Sequence, residues 1–180
     1  MRAAGQKAGA RLATAQSRPT AEAGEAPRRH RPVAARRTSG TAVIAYVDAS
    51  VLLRVALRQP DALPEWRQID QGVASALVMT ECLRTLDRLR LRAKFSDAAV
   101  ATRRATILAL IGSLELVEID SVVLERAAQP MPTELGTRDA IHLATALLWK
   151  DLAHANLIMA THDTALALGA QAHGLLVVGV

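Results

Sequence analysis

With 180 residues, 51% of them apolar, the chain is long enough for one domain with a sizeable core. Aromatic residues make up only 2%, so Leu, Val, Ile and Ala must fill that core, and a binder that stacks bases on aromatic platforms is disfavoured. The lone cysteine, Cys82, excludes an internal disulfide and any Cys-based zinc site. No apolar run approaches the roughly 20 residues of a membrane span, the N-terminus lacks the apolar centre of a secretory signal, and a cytoplasmic setting is expected.

The formal charge of +5 is unevenly placed. Residues 1–40 hold nine Arg or Lys against two Glu, whereas residues 41–180 hold 13 basic against 15 acidic side chains, a net of −2. The first segment is rich in Ala, Arg, Gly and Pro and nearly devoid of large apolar side chains, so its composition predicts a disordered N-terminal extension. It reads as a basic arm for RNA phosphate, as a transit segment, or most simply as an extension from a misplaced start codon, with the chain proper opening near Val43.

From Thr41 the pattern becomes that of a globular domain, expected over 41–180. Apolar runs of strand length fall at 43–47, 73–78, 115–119, 157–160 and 175–178. Amphipathic stretches lie between them at 50–57, 79–92, 97–112, 121–128, 138–152 and 164–172. Strands alternating with helices predict an α/β fold, a three-layer α/β/α sandwich with a mostly parallel central sheet. In the helix over 79–92, Leu83, Leu86, Leu89 and Met79 form the expected apolar stripe, with Arg84, Arg88 and Arg92 opposite.

In open α/β sheets, ligands bind beyond the carboxyl ends of the strands. Asp48 follows the first strand there and Asp163 follows the fourth. Glu81 is expected in the first turn of the helix after the second strand, and Asp139 opens the helix within GTRDAIHLATALL. All four acids can therefore point to one edge of the sheet. Singly, each has a plainer reading: Asp48, Asp139 and Asp163 stand where carboxylates cap helices, and Glu81 reads equally as an exposed helix residue. Ser50, Thr137 and Thr164 are good caps themselves, which lessens the need for acids in that role. Four crowded carboxylates repel one another, and bound divalent cations remove that penalty. Oxygen-only ligation favours magnesium or manganese, a pairing suited to phosphodiester hydrolysis.

The segments YVDASVLLR, the TE of MTECLR, TRDAIHLATAL and THDTALA resemble, in this order, the acidic motifs of PIN-domain ribonucleases, most closely the VapC-type toxins of toxin–antitoxin pairs. The resemblance spans about residues 43–180, and D-A-x-H-L-A-x-A at 139–146 followed by T-x-D at 161–163 is its most specific part. It implies a PIN-like α/β/α sandwich and a metal-dependent endoribonuclease with Asp48, Glu81, Asp139 and Asp163 as catalytic metal ligands for one or two Mg2+ or Mn2+ ions. It places the Ser50 and Thr161 hydroxyls in support of the acids or a bound water. It also implies structured RNA such as tRNA or rRNA as substrate, a homodimer, and a cognate antitoxin whose tail enters the acidic pocket, often through an Arg.

A non-catalytic PIN-like module binding RNA or protein is the alternative, although such modules usually lack one or more of the acids. An aspartyl phosphatase would need a second Asp where Ser50 stands, and neither GxxxxGK[ST] nor GxGxxG occurs. His142, three residues after Asp139, reads as a packed histidine bonded to a neighbour rather than a metal ligand. Arg138 reads either as an RNA contact or as a counter-charge to the acids, His162 occupies a variable motif position, and Cys82 reads as a small buried packing residue.

Overall fold

The structure is a computed structural model and describes residues 42–180; the expectation for residues 1–40 lies outside the described residues. Five short strands form one sheet: β1 (Ile44–Val47), β2 (Gln71–Ser75), β3 (Glu115–Val117), β4 (Leu157–Ala160) and β5 (Leu176–Val178). Their order is β3-β2-β1-β4-β5, and each of the four pairings is parallel. The helices are α1 (Ala49–Ala56), α2 (Leu77–Ala93), α3 (Asp97–Ile111), α4 (Ser121–Ala127), α5 (Thr137–Ala153) and α6 (Thr164–Ala172), with a short 3-10 turn at Pro64–Gln68. The α/β/α expectation is met, with a sheet parallel throughout.

Strand alternation separates two apolar layers. Ala45, Val47, Ala74 and Ala160 face a core completed by Val51 and Leu52 of α1, Val78, Cys82 and Leu86 of α2, and Ile107 and Ile111 of α3. Tyr46, Val73, Leu157 and Met159 face the other core, with Leu143, Ala146 and Leu147 of α5 and Leu166 and Ala170 of α6. The helix α4 packs on α5. Parallel strands covered on both faces are apolar along their length, which is why short unbroken runs marked them in the sequence.

The expected elements are present, and their boundaries differ in one informative place. The strand expected at 73–78 runs from Gln71 to Ser75, and Leu77 and Val78 belong to α2. The apolar run continues from strand into buried helix with no break in periodicity, so its composition could not mark the turn at Ala76. Glu81 consequently stands in the second turn of α2, not the first. The buried stripe of α2 is Val78, Cys82 and Leu86, while Met79 is 40% exposed and lies outside it.

The strand order reverses direction at β1, whose neighbours are β2 and β4. Such a switch point opens a crevice at the carboxyl ends of the two strands that diverge from it. The Asp48 backbone N–H donates to the Ala160 carbonyl (3.0 Å), tying the ends of β1 and β4 together at that crevice. Among the described residues, no helix is long and apolar enough to cross a membrane.

Candidate metal centre

A cavity of about 330 Å³ opens at this switch point, lined by Asp48, Ser50, Glu81, Arg138 and Asp163 and extending along α2 past Arg84, Thr85 and Arg88. Side-chain exposure rises from 9% at Asp48 through 14% at Glu81 and 15% at Asp139 to 33% at Asp163, so the acids form a graded mouth with Asp48 at its floor. Asp139 does not line the cavity itself but meets its rim through Arg138.

Asp48 is the N-cap of α1. Its Oδ2 accepts from the Ser50 backbone N–H (3.2 Å), the Ser50 hydroxyl (2.5 Å) and the Thr161 hydroxyl (3.1 Å). Its Oδ1 lies 3.9 Å from His142 Nε2. Thr161 follows β4, is fully buried, and its hydroxyl oxygen also accepts from the Asp163 backbone N–H (3.0 Å). One hydroxyl thus fixes two acids. The Ser50 hydroxyl accepts from the His162 backbone N–H (3.0 Å), linking the start of α1 to the turn after β4.

Asp163 caps α6, its Oδ1 accepting from the backbone N–H groups of Ala165 (2.9 Å) and Leu166 (3.1 Å). The expected division between capping hydroxyls and free acids is therefore corrected. Asp48, Gly136 and Asp163 are the N-caps, whereas Ser50, Thr137 and Thr164 lie inside their helices. Capping and site formation are not alternatives here, because a carboxylate has two oxygens: one satisfies the helix end and the other faces the mouth.

Glu81 is anchored differently. Its Oε2 accepts from His142 Nε2 (2.7 Å), and His142 Nδ1 lies 2.9 Å from the Tyr46 hydroxyl, whose oxygen accepts from the Ser75 backbone N–H (3.1 Å). Facing a carboxylate, Nε2 carries the proton, which leaves Nδ1 to accept from Tyr46. Burial raises the Tyr46 phenol far above its ordinary value, so it keeps the proton it donates. His142 and Tyr46 are both fully buried. The chain Ser75–Tyr46–His142–Glu81 thus runs from the sheet to the mouth, and His142 is the packed, bonded histidine expected.

Nothing in the sequence singled out Tyr46, which sits in an apolar run 96 residues from its partner. The sole local signal was its being the one tyrosine of the chain, buried in a strand where a hydroxyl needs a partner.

Arg138 in the first turn of α5 spans the rim, its Nε lying 3.2 Å from Glu81 Oε1 and 3.1 Å from Asp139 Oδ1, with Nη2 3.8 Å from Asp163 Oδ2. Burial pulls the guanidinium down, but the Asp139 hydrogen bond and the charges of Asp139, Glu81 and Asp48 together outweigh it and hold Arg138 above its ordinary value. Of its two readings in the sequence, counter-charge to the acids is the one this geometry displays. His162 is turned away from the mouth, its Nδ1 bonded to the Gly179 carbonyl. Burial first, then the charges of Glu81 and Asp48, push the Cys82 thiol up to about 12, so it stays a neutral packing group.

The donor set suits a hard cation. One ligand atom each from Asp48, Glu81 and His142 lies within 4.8 Å of the others. His142 Nε2 is committed to Glu81, which leaves oxygens as the open donors. Among the described residues, Arg138 is the one Lys or Arg paired with these acids; it is 58% exposed and reaches in from the rim.

The family model of the PIN domain matches residues 45–170. Ribonuclease VapC46 of Mycobacterium tuberculosis is 39% identical over 104 residues, covering 56% of this chain and 72% of that protein. Among solved structures, a toxin–antitoxin complex from Klebsiella pneumoniae superposes with a TM-score of 0.54 at 18% identity, covering 76% of this chain and 96% of the other. PAE2754 from Pyrobaculum aerophilum superposes with a TM-score of 0.50 at 22% identity, covering 77% and 87%. Both share the fold.

Proposed function

The chain belongs to the PIN-domain family, and from that premise and the acidic mouth we propose that it is a metal-dependent endoribonuclease acting as the toxin of a toxin–antitoxin pair. One observation carries the reading: Asp48, Glu81 and Asp163 line one cavity, Asp139 joins its rim through Arg138, and among the described residues each has an oxygen whose one ion-pairing neighbour is Arg138 or His142. Arg138 offsets only one of these four like charges and does so from the exposed rim, so a bound divalent cation would relieve repulsion that the chain leaves in place, which favours the catalytic reading over a non-catalytic module. The 39% identity to a VapC ribonuclease supports the same activity.

Asp48, Glu81, Asp139 and Asp163 would hold one or two magnesium or manganese ions. When bound, such an ion activates water and offsets the charge that builds on a phosphodiester during displacement. The remaining work falls to the chain. Ser50 and Thr161 lock Asp48 through one oxygen, His142 locks Glu81 through one oxygen, and the α6 N-terminus locks Asp163. Ligands fixed in this way need little ordering when the cation and substrate arrive. Arg138, exposed on the rim, would be within reach of a substrate phosphate as well as of the acids.

The substrate in this reading is structured RNA such as tRNA or rRNA, cut by a homodimer and held in check by an antitoxin that places a cation in the same mouth. The Klebsiella neighbour, a toxin–antitoxin complex, supports such a partner. Incubating the purified protein with total RNA and Mg2+ or Mn2+ tests the activity. Cleavage that stops in excess EDTA and resumes with added Mn2+ is expected, and cleavage undiminished in EDTA refutes the mechanism.

A further inference from the structure

The cavity does not end at the acids. It continues along α2, lined there by Arg84, Thr85 and Arg88. At 100° per residue, Arg84, Arg88 and Arg92 stand about 60°, 20° and 20° from Glu81 around the helix, and at 1.5 Å rise they lie about 4.5, 10.5 and 16.5 Å beyond it along the axis. One face of α2 therefore begins with a candidate metal ligand and proceeds as a row of arginines, all exposed. Residues 41–180 are net acidic, so these cations are gathered on this face rather than being a sample of a basic surface.

Their present partners are weak. Arg84 pairs with Asp87 at 3.3 Å, with side chains 68% and 47% exposed, and Arg88 donates to the Thr85 hydroxyl at 2.8 Å. Exposed pairings of this kind contribute little and exchange readily.

We propose that this face of α2 is the track on which the phosphodiester backbone of the substrate strand lies as it enters the acidic mouth. The proposal rests on the nuclease reading above and adds to it the direction of approach. A strand must bring one phosphate among four carboxylates that repel it, and cations immediately beside them offset that repulsion and hold the flanking phosphates. Guanidinium groups fit phosphate through paired N–H donors. Leu53 is the single large apolar side chain of the lining, short of the apolar cluster on which a folded protein partner anchors, and this favours a polyanion.

Arg90 supplies the control, because it is exposed on the same helix but stands about 180° from Glu81. The experiment measures binding of a labelled single-stranded RNA oligonucleotide by anisotropy, in EDTA so that nothing is cleaved, across a range of KCl concentrations. Arg84→Gln with Arg88→Gln should weaken binding and flatten the slope of log K against log salt by about 1.4, which is about 0.7 for each of two phosphates no longer neutralised. Arg90→Gln should leave the slope unchanged. Gln has a helix propensity close to that of Arg, so thermal unfolding should match in all three proteins.

An unchanged slope in the double variant overturns the proposal, as does an equal loss per charge in Arg90→Gln, which would mean diffuse attraction without a track. Because binding is read without hydrolysis, a wild-type protein that binds along this face yet never cleaves with Mn2+ supports the track and refutes the nuclease reading.

Discussion

Replacing His142 with Leu probes how the mouth is held together. The side chain is fully buried, and its two ring nitrogens join Tyr46 to Glu81. Leu fills similar space but leaves the Tyr46 hydroxyl without its acceptor and Glu81 Oε2 without its donor. A buried polar group left unpaired costs about 1–3 kcal/mol. Glu81 is 14% exposed, so water relieves part of its share, and a total of about 2–4 kcal/mol follows. For a domain of this size that lowers Tm by roughly 4–16 °C. Freed from its anchor, Glu81 should also hold a cation less well, by about 10–100-fold. Differential scanning fluorimetry gives the first quantity and a Mn2+ titration by calorimetry the second. A variant with unchanged stability and unchanged Mn2+ affinity would refute the anchoring role, and one that lost cleavage alone would move His142 into the chemistry itself.

The other expectations separate roles that share one side chain. Asp163→Ala should cost about 1 kcal/mol through the lost α6 cap as well as abolishing cleavage, whereas Asp163→Asn should abolish cleavage with the cap intact; thermal melts beside activity assays distinguish them. Arg138→Gln should tighten Mn2+ binding by roughly up to fivefold at low salt, since the exposed guanidinium that competes for the acids contributes about 0–1 kcal/mol, and weaker binding would contradict its part as counter-charge. Cys82, buried and with its thiol pushed up to about 12, should resist iodoacetamide in the native protein at mildly alkaline pH and react on unfolding; prompt native labelling, read by mass spectrometry, would show that the core opens there.

The parallel sheet and its helices were legible because periodicity and short apolar runs reflect burial, and burial is what the fold is made of. That Asp48, Glu81, Asp139 and Asp163 could lie toward one edge was legible for a topological reason: residues just after parallel strands share the carboxyl end, as Asp48 and Asp163 do, and helices that run back antiparallel to those strands start at the same end, as α2 with Glu81 and α5 with Asp139 do. What local sequence could not convey was how each acid is held. Asp48 and Ser50 are both good caps by type, and only the path of the turn after β4, which brings the Thr161 hydroxyl to Asp48, decides that the acid caps and the serine supports it. The Tyr46–His142–Glu81 chain joins three elements far apart in sequence and leaves no periodic trace. The α2 boundary was hidden because a buried strand passing into a buried helix is apolar on both sides of the join. Arg84 and Arg88 read as an ordinary solvent face in the sequence, and only the cavity that runs past them ties them to the acids.

The central claim, that these acids hold the cation that makes the chain a nuclease, is tested most directly by Asp48→Asn. The amide oxygen can keep the bonds from Ser50 and Thr161 while the charge at the floor of the mouth is lost. Single-turnover cleavage of RNA by the purified variant, titrated with Mn2+ and checked for folding by circular dichroism, is the measurement. The account predicts a folded protein with no detectable cleavage and weakened Mn2+ binding. Cleavage at the wild-type rate by the folded variant would contradict it.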